Sequence, residues 1–145
     1  MAFESHSNGQ VDNFLKADIK AAGLELINVE KKKTVVLEEE EITYIYTFKK
    51  GDSSITANVA VSDPLYFCDV TFKKDENDYF SLKPYLKTLG ENTEMEQLFD
   101  FYMDEKIDDE QYVLGYLNLF KKYLSESDVQ MVLSGEFWPD VPDEE

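Results

Sequence analysis

A chain of 145 residues with 31 acidic side chains, 14 lysines, no arginine and one histidine carries a formal charge of −17 at pH 7. Such a field repels phosphate backbones and anionic headgroups, so neither nucleic acid nor a membrane surface is expected as a partner; a basic protein is. Hydrophobic residues make up 43% and aromatics 14%, enough to offset the ordering entropy of one domain over residues 1–145 and to exclude an acidic disordered tail. The ends, residues 1–9 and 140–145, read as flexible tails. The segment Met1–Gln10 has neither a basic n-region nor an apolar run, and no window approaches ~18 apolar residues. With a single cysteine, Cys68, in an apolar alternating stretch, a soluble cytoplasmic protein is expected.

In chain order, Gln10 or Asp12 opens a first helix in which Val11, Phe14, Leu15, Ile19 and Ala22 recur at helical spacing, and Gly23 sits where a left-handed cap is wanted. The period then changes. Residues 24–30, 34–38, 42–49, 54–61 and 65–73 are short runs rich in Val, Ile, Thr and aromatics between turn residues, the pattern of strands. Gly51 and Ser62-Asp63-Pro64 mark turns, so the last three runs form an antiparallel meander. Alternation aligns Ile42, Tyr44, Tyr46 and Phe48 with Ile55, Ala57, Val59 and Val61 and with Tyr66, Cys68, Val70 and Phe72.

Those rows need a cover, and after Asp78 the pattern turns helical again. A short helix runs from Phe80 to Leu89, interrupted by Pro84. Thr93 with Glu96 reads as a capping box for a helix striped by Met95, Leu98, Phe99 and Tyr102. Asp108 with Gln111 reads as a second box, followed by Val113, Tyr116, Leu117, Phe120 and Leu124. A last helix, capped by Ser125 or Ser127, carries Val129, Val132 and Leu133 to Gly135. The expected fold is α+β: an N-terminal helix, an antiparallel β-sheet meander and a C-terminal helical layer on one sheet face. Val11, Phe14, Leu15, Ile19, Ile55, Val59, Val70, Phe72, Leu98, Phe99, Leu117 and Phe120 are the expected shared core.

The charge is polarised. Residues 1–74 hold 12 acids and 9 lysines, whereas residues 75–145 hold 19 acids and 5 lysines. Glu96, Asp100 and Asp104 recur at i, i+4 and i+8, along one helical face opposite the apolar stripe, where each like-charged pair costs about 0.2–0.5 kcal/mol. Glu105, Asp108 and Asp109 continue the surface across the next turn. Such a face is either ordinary solvated surface or a docking site for lysine and arginine side chains. Tyr102 and Trp138 are the candidate aromatic anchors, although a tryptophan near a terminus also serves to cover the end of a core. Tyr44, Tyr46, Tyr66, Tyr79 and Tyr102 are candidates to line a groove. Glu38–Glu41 reads as an exposed edge or connection guarded by charge.

Chemistry-bearing motifs are missing. His6 stands alone in a polar segment, which removes histidine metal sites and Ser/His/Asp or Cys/His relays. There is no phosphate-binding glycine loop, no zinc-protease helix and no nucleophile elbow. The acidic stretches lack the glycine and ligand spacing of a calcium loop, so no metal and no cofactor are expected. The expected role is binding, with no enzymatic activity.

A small α+β chain with an acidic helical face at Glu96, Asp100 and Asp104 and no catalytic apparatus resembles, in general character, the immunity proteins that neutralise bacterial nuclease-type toxins. That resemblance implies a one-to-one complex in which carboxylates occupy the basic substrate cleft of a toxin. A first helix followed by an antiparallel sheet also resembles acidic secretion chaperones, which would imply a partner segment bound along a sheet or groove. A small-ligand or sensory domain is the third class, with a deep aromatic-lined pocket as its mark.

Overall fold

The computed structural model describes residues 8–63 and 67–141, the side chains of residues 8–13, Val36 and Asp63 excepted. Helix α1 (Asn8–Ala21) precedes β1 (Leu24–Val36), β2 (Glu39–Lys50), β3 (Thr56–Asp63), β4 (Cys68–Asp75) and β5 (Asp78–Ser81); α2 (Leu82–Leu89), α3 (Thr93–Met103), α4 (Asp109–Leu124) and α5 (Ser127–Ser134) follow. The strands form one antiparallel sheet in sequential order, β1-β2-β3-β4-β5. The architecture is the α+β meander with a helical layer that the sequence implies.

Helix α1 starts at Asn8, earlier than its expected opening at Gln10 or Asp12 and inside the stretch read as a tail; it ends at Ala21, and Gly23 beyond it takes the expected left-handed conformation, φ 79°. Leu15, Ile19 and Ala22 turn into the core and Phe14 packs at its edge; the Val11 side chain lies outside the described residues. Lys121 of α4 holds this helix through Asp18 at 3.4 Å and lies 4.3 Å over the Phe14 ring.

β1 is one strand where two runs were expected. The Lys31-Lys32-Lys33 interruption is exposed on the sheet edge, where charge and strand geometry coexist and repel a second chain. A two-residue turn, Leu37 at φ 52° and Glu38 at φ 68°, joins β1 to β2. Two positive φ values are the geometry that suits strand twist, adopted here without the usual Asn-Gly.

The inward rows follow the predicted alternation except at Ile42, which is only half-buried near the start of β2. Tyr46 and Phe48, Ile55, Ala57, Val59 and Val61, and Cys68, Val70 and Phe72 are buried, with Tyr44 packed at the margin. The turn at Pro64 and the Tyr66 member of the row lie outside the described residues. The opposite face is half-covered and polar, with Thr47 donating to Asn58 Oδ1 at 2.9 Å.

β5 replaces the expected start of the first C-terminal helix. Its hairpin lacks glycine; the Asp75 carboxylate instead accepts the Asn77 N–H at 2.8 Å and closes the turn. Phe80 therefore enters the core from a strand, with its ring 5.4 Å from Phe72 and 5.0 Å from Tyr85. Pro84 does not interrupt α2. It is the third helical residue, where no intrahelical N–H bond is yet due.

Helix α4 is the centre of the layer. Val113, Tyr116, Leu117, Phe120, Tyr123 and Leu124 are buried, and the expected Asp108–Gln111 capping box forms in both directions, at 2.8 and 2.9 Å. The expected Thr93–Glu96 box does not form. Asn92 occupies the cap position without a side-chain bond, and Thr93 is already helical. Helix α5 is likewise preceded by Glu126, because Ser125 ends α4 and Ser127 is already helical. Gln130 ties α5 to the sheet by accepting from Lys50 Nζ.

Helix α3 departs most from expectation. It rests on α4, and its buried residue is Met95; Leu98 and Tyr102 are half-buried and Phe99 is 37% exposed. Phe99 is thus no member of the shared core. The approach of α3 to α4 is close because Gly115 faces Leu98: a Cβ there would stand 2.7 Å from Leu98 Cδ1.

Candidate functional site

The outer surface of α3 combines exposed acids with large apolar side chains that a globular protein more often buries. Glu96, Asp100 and Asp104 are exposed along it, with Met103 60% exposed beside them and Phe99 and Phe101 on the two flanks. At 100° per residue, positions 96, 100 and 103 share one side and position 99 borders it, so apolar and acidic groups alternate around one patch. Lys83 lies 4.5 Å over the Phe99 ring and Lys106 lies 5.6 Å over Phe101. Glu96, Asp100 and Asp104 form no ion pair and accept no side-chain hydrogen bond among the described residues.

Several local energies oppose this arrangement. Glu96/Asp100 and Asp100/Asp104 are like-charged neighbours at i, i+4, about 0.2–0.5 kcal/mol each. The last turn of α3 contains no basic residue; Asp104 and Glu105 instead meet the negative end of its dipole, which costs roughly 0.3–1 kcal/mol per charge. Glu105 adopts φ 60°, a left-handed conformation that a side chain occupies at about 1–2 kcal/mol. That conformation lets Glu105 N–H reach Tyr102 O at 3.1 Å and Lys106 N–H reach Phe101 O at 2.8 Å, closing the helix end.

The turn beyond is better supported. Asp108 caps α4, and Asp109 lies in its first turn at the positive end of the dipole. Tyr102 donates from its hydroxyl to Asp109 Oδ1 at 2.6 Å and stacks on Tyr112 with ring centroids 4.4 Å apart. The hydrogen bond to Asp109, with partial desolvation, pushes the Tyr102 pKa up. Tyr102 therefore locks α3 to α4 and orients Asp109. An open depression of about 550 Å³ lies beside it, bordered by Met103, Glu105, Ile107 and Asp108.

The structure thus brings Glu96, Asp100, Asp104, Glu105, Asp108, Asp109 and Tyr102 onto α3 and the α3–α4 turn. Trp138 is placed elsewhere. Its Nε1 donates to Asp78 Oδ1 at 2.8 Å, its ring is 4.9 Å from Phe80, and Lys74 lies 6.0 Å over it. Trp138 closes the β5 end of the core together with Val141, which puts residues 138–141 against the domain; residues 142–145 lie outside the described residues. Of the tyrosines read as groove-lining, Tyr46 is fully buried and Tyr79 borders a separate cleft with Tyr112 and Tyr116.

Phe99 was expected in the core because the i, i+3, i+4 spacing that marks a buried stripe looks the same when a helix is docked by one edge only; Phe101 and Met103 lie outside that stripe and gave no sequence signal. Among the described residues no three His, Cys, Asp or Glu side chains gather as metal ligands, and no helix is long and apolar enough to cross a membrane. Comparison of the chain with protein-family models, with curated proteins and with solved structures finds no match in any of the three.

Proposed function

We propose that this protein is a binding domain with no enzymatic activity, whose outer α3 face and α3–α4 turn engage a basic protein partner. The observation that carries the reading is the set of exposed apolar groups, Phe99, Phe101 and Met103, among uncompensated carboxylates at Glu96, Asp100 and Asp104. Carboxylates steer a cationic surface into contact, and Met103 with the bordering Phe99 supplies the desolvated contact that sets the dissociation rate, with Phe101 on the far flank. A solvated face needs only the acids. The like-charge pairs and the left-handed Glu105 lower the stability of the free protein, and a partner's lysines or arginines would relieve the repulsion.

A nuclease-type toxin is the partner class that the resemblance to immunity proteins implies. A nucleic-acid-cleaving surface must be positive, and an acidic protein competes with the nucleic acid for it. The test is capture at low salt from the source lysate, elution on a salt gradient, and comparison of the parent with a Glu96→Lys, Asp100→Lys, Asp104→Lys variant whose circular dichroism is unchanged. Loss of a salt-eluted basic protein in the variant supports the reading. The same protein eluting at the same salt from both sinks it.

A further inference from the structure

At one end of the sheet, β5 stops pairing with β4 at Thr71↔Ser81, so the edge of Cys68, Asp69 and Val70 has no fifth strand beside it. A cleft of about 500 Å³ opens there, between the strand ends, α2 and α4. Asp69 is half-buried in it. Tyr116 reaches over from α4 and donates to Asp69 Oδ1 at 3.1 Å, while Ser81 Oγ and Thr71 Oγ1 donate to Oδ2 at 3.3 and 3.4 Å. Tyr79 and Tyr112 wall the cleft beside Tyr116, and Phe67 borders it. Tyr112 meets Tyr116 edge-on, with centroids 6.3 Å apart.

The Asp69 carboxylate is held by hydroxyl and amide donors and has no ion-pair partner among the described residues. Desolvation raises the Asp69 pKa, opposed by hydrogen bonds from Tyr116, Ser81, the Val70 amide and Thr71; no lysine is among the groups that set it. Lys83 lines the cleft, but its ammonium is held 4.5 Å over Phe99. A carboxylate taken partly out of water without a counter-ion is costly, and its attraction for a cation is strengthened by the same low dielectric. Tyrosine ring faces attract ammonium and guanidinium groups in addition. A bare metal ion fits poorly, because no further His, Cys, Asp or Glu side chains gather with Asp69 as ligands. The cleft volume is within the range of small-ligand pockets, roughly 300–1,000 Å³.

The geometry points to a binding site for a small organic cation, an ammonium or guanidinium on a short apolar stem, with Asp69 as counter-ion and Tyr79, Tyr112 and Tyr116 as walls. This site is separate from the acidic outer face of α3 and stands whether or not that face binds a protein.

The test is a titration of isotope-labelled protein with n-butylammonium chloride at constant ionic strength, followed by amide chemical shifts, with n-butanol as the neutral control. Saturable shifts are expected at Cys68–Val70, Tyr79–Ser81 and Tyr112–Tyr116, with affinity lowered about tenfold or more in Asp69→Asn. Tyr79→Ala, at a ring 58% exposed, covers the case in which Asp69→Asn fails to fold, and is expected to weaken binding about threefold or more. A blocked lysine, Nα-acetyl-lysine methylamide, separates the two sources of such a group. Binding as tight as butylammonium or tighter assigns the site to a protein's lysine side chain; weaker binding assigns it to a free amine. Shifts spread along Glu96–Glu110, equal shifts with butanol, or affinity unchanged in the variants overturns the site.

Discussion

Truncating Phe120 and Phe99 to alanine removes the same ring from two positions whose helical spacing looks equivalent, yet the two losses should differ several-fold. Phe120 is 1% exposed and lies 6.4 Å from the Phe72 ring, at the seam between α4 and the sheet. Its removal forfeits about 2–3 kcal/mol of transfer energy, and a void on the order of 100 Å³ adds roughly 2 kcal/mol at about 24 cal/mol per Å³ before the site relaxes. The total is about 3–5 kcal/mol, which at this chain length lowers the melting temperature by roughly 10–15 °C. Phe99, 37% exposed, leaves no closed void because water takes its place. Its loss comprises a partial transfer term and the contact with Lys83, together about 1 kcal/mol. Urea unfolding read by far-UV circular dichroism and by Trp138 fluorescence measures both, with coincident transitions as the two-state check. A loss at Phe99 as large as that at Phe120 would place α3 in the core and remove the apolar half of the proposed docking face. A loss below about 1 kcal/mol at Phe120 would refute the packing of α4 on the sheet.

Three further outcomes are expected. Gly115→Ala sets a helix gain of about 1 kcal/mol against overpacking of about 1–3 kcal/mol where its Cβ meets Leu98, so it should destabilise the parent but stabilise the Leu98→Ala background; additive effects in a double-mutant cycle would rule out the close approach. Glu105→Gly removes the left-handed side-chain strain and should raise stability by about 0.5–1 kcal/mol in urea unfolding, whereas a lowered midpoint would contradict the backbone geometry. Burial raises the Asp69 pKa above its ordinary 3.8, so its contribution to stability is full below that value and is lost as pH rises through the folded-state pKa. The stability of Asp69→Asn relative to the parent should therefore grow between about pH 4 and 7. Tyr112 and Tyr116, both pushed up from the ordinary tyrosine value by burial, stay neutral there. A relative stability that is flat or falls across that window would show that Asp69 is not desolvated.

The α+β class, the order of helix, meander and helical layer, and most of the core were legible in the sequence because each rests on local signals. Period-2 alternation marked Ala57, Val59, Val70 and Phe72; period-3.6 spacing marked Leu15, Ile19, Leu117 and Phe120; Asp108 with Gln111 marked a helix start. The acids of α3 were legible for the same reason, since i, i+4 spacing fixes which side of a helix they share. What local signals do not contain is the depth to which an element docks. Helix α3 carries an apolar stripe like that of α4, but it sits on α4 and away from the sheet, and this long-range choice leaves Phe99 and Met103 in water. The β5 hairpin escaped notice because an Asp75 side chain, and not a glycine, closes its turn. Asp69, separated from Tyr116 by 47 positions, is one polar residue in an alternating strand until the end of β5 and the approach of α4 create a cleft around it. Sequence determines which faces are apolar or charged through neighbours a few residues apart; only the packing of distant elements decides which of those faces meet each other and which are left open.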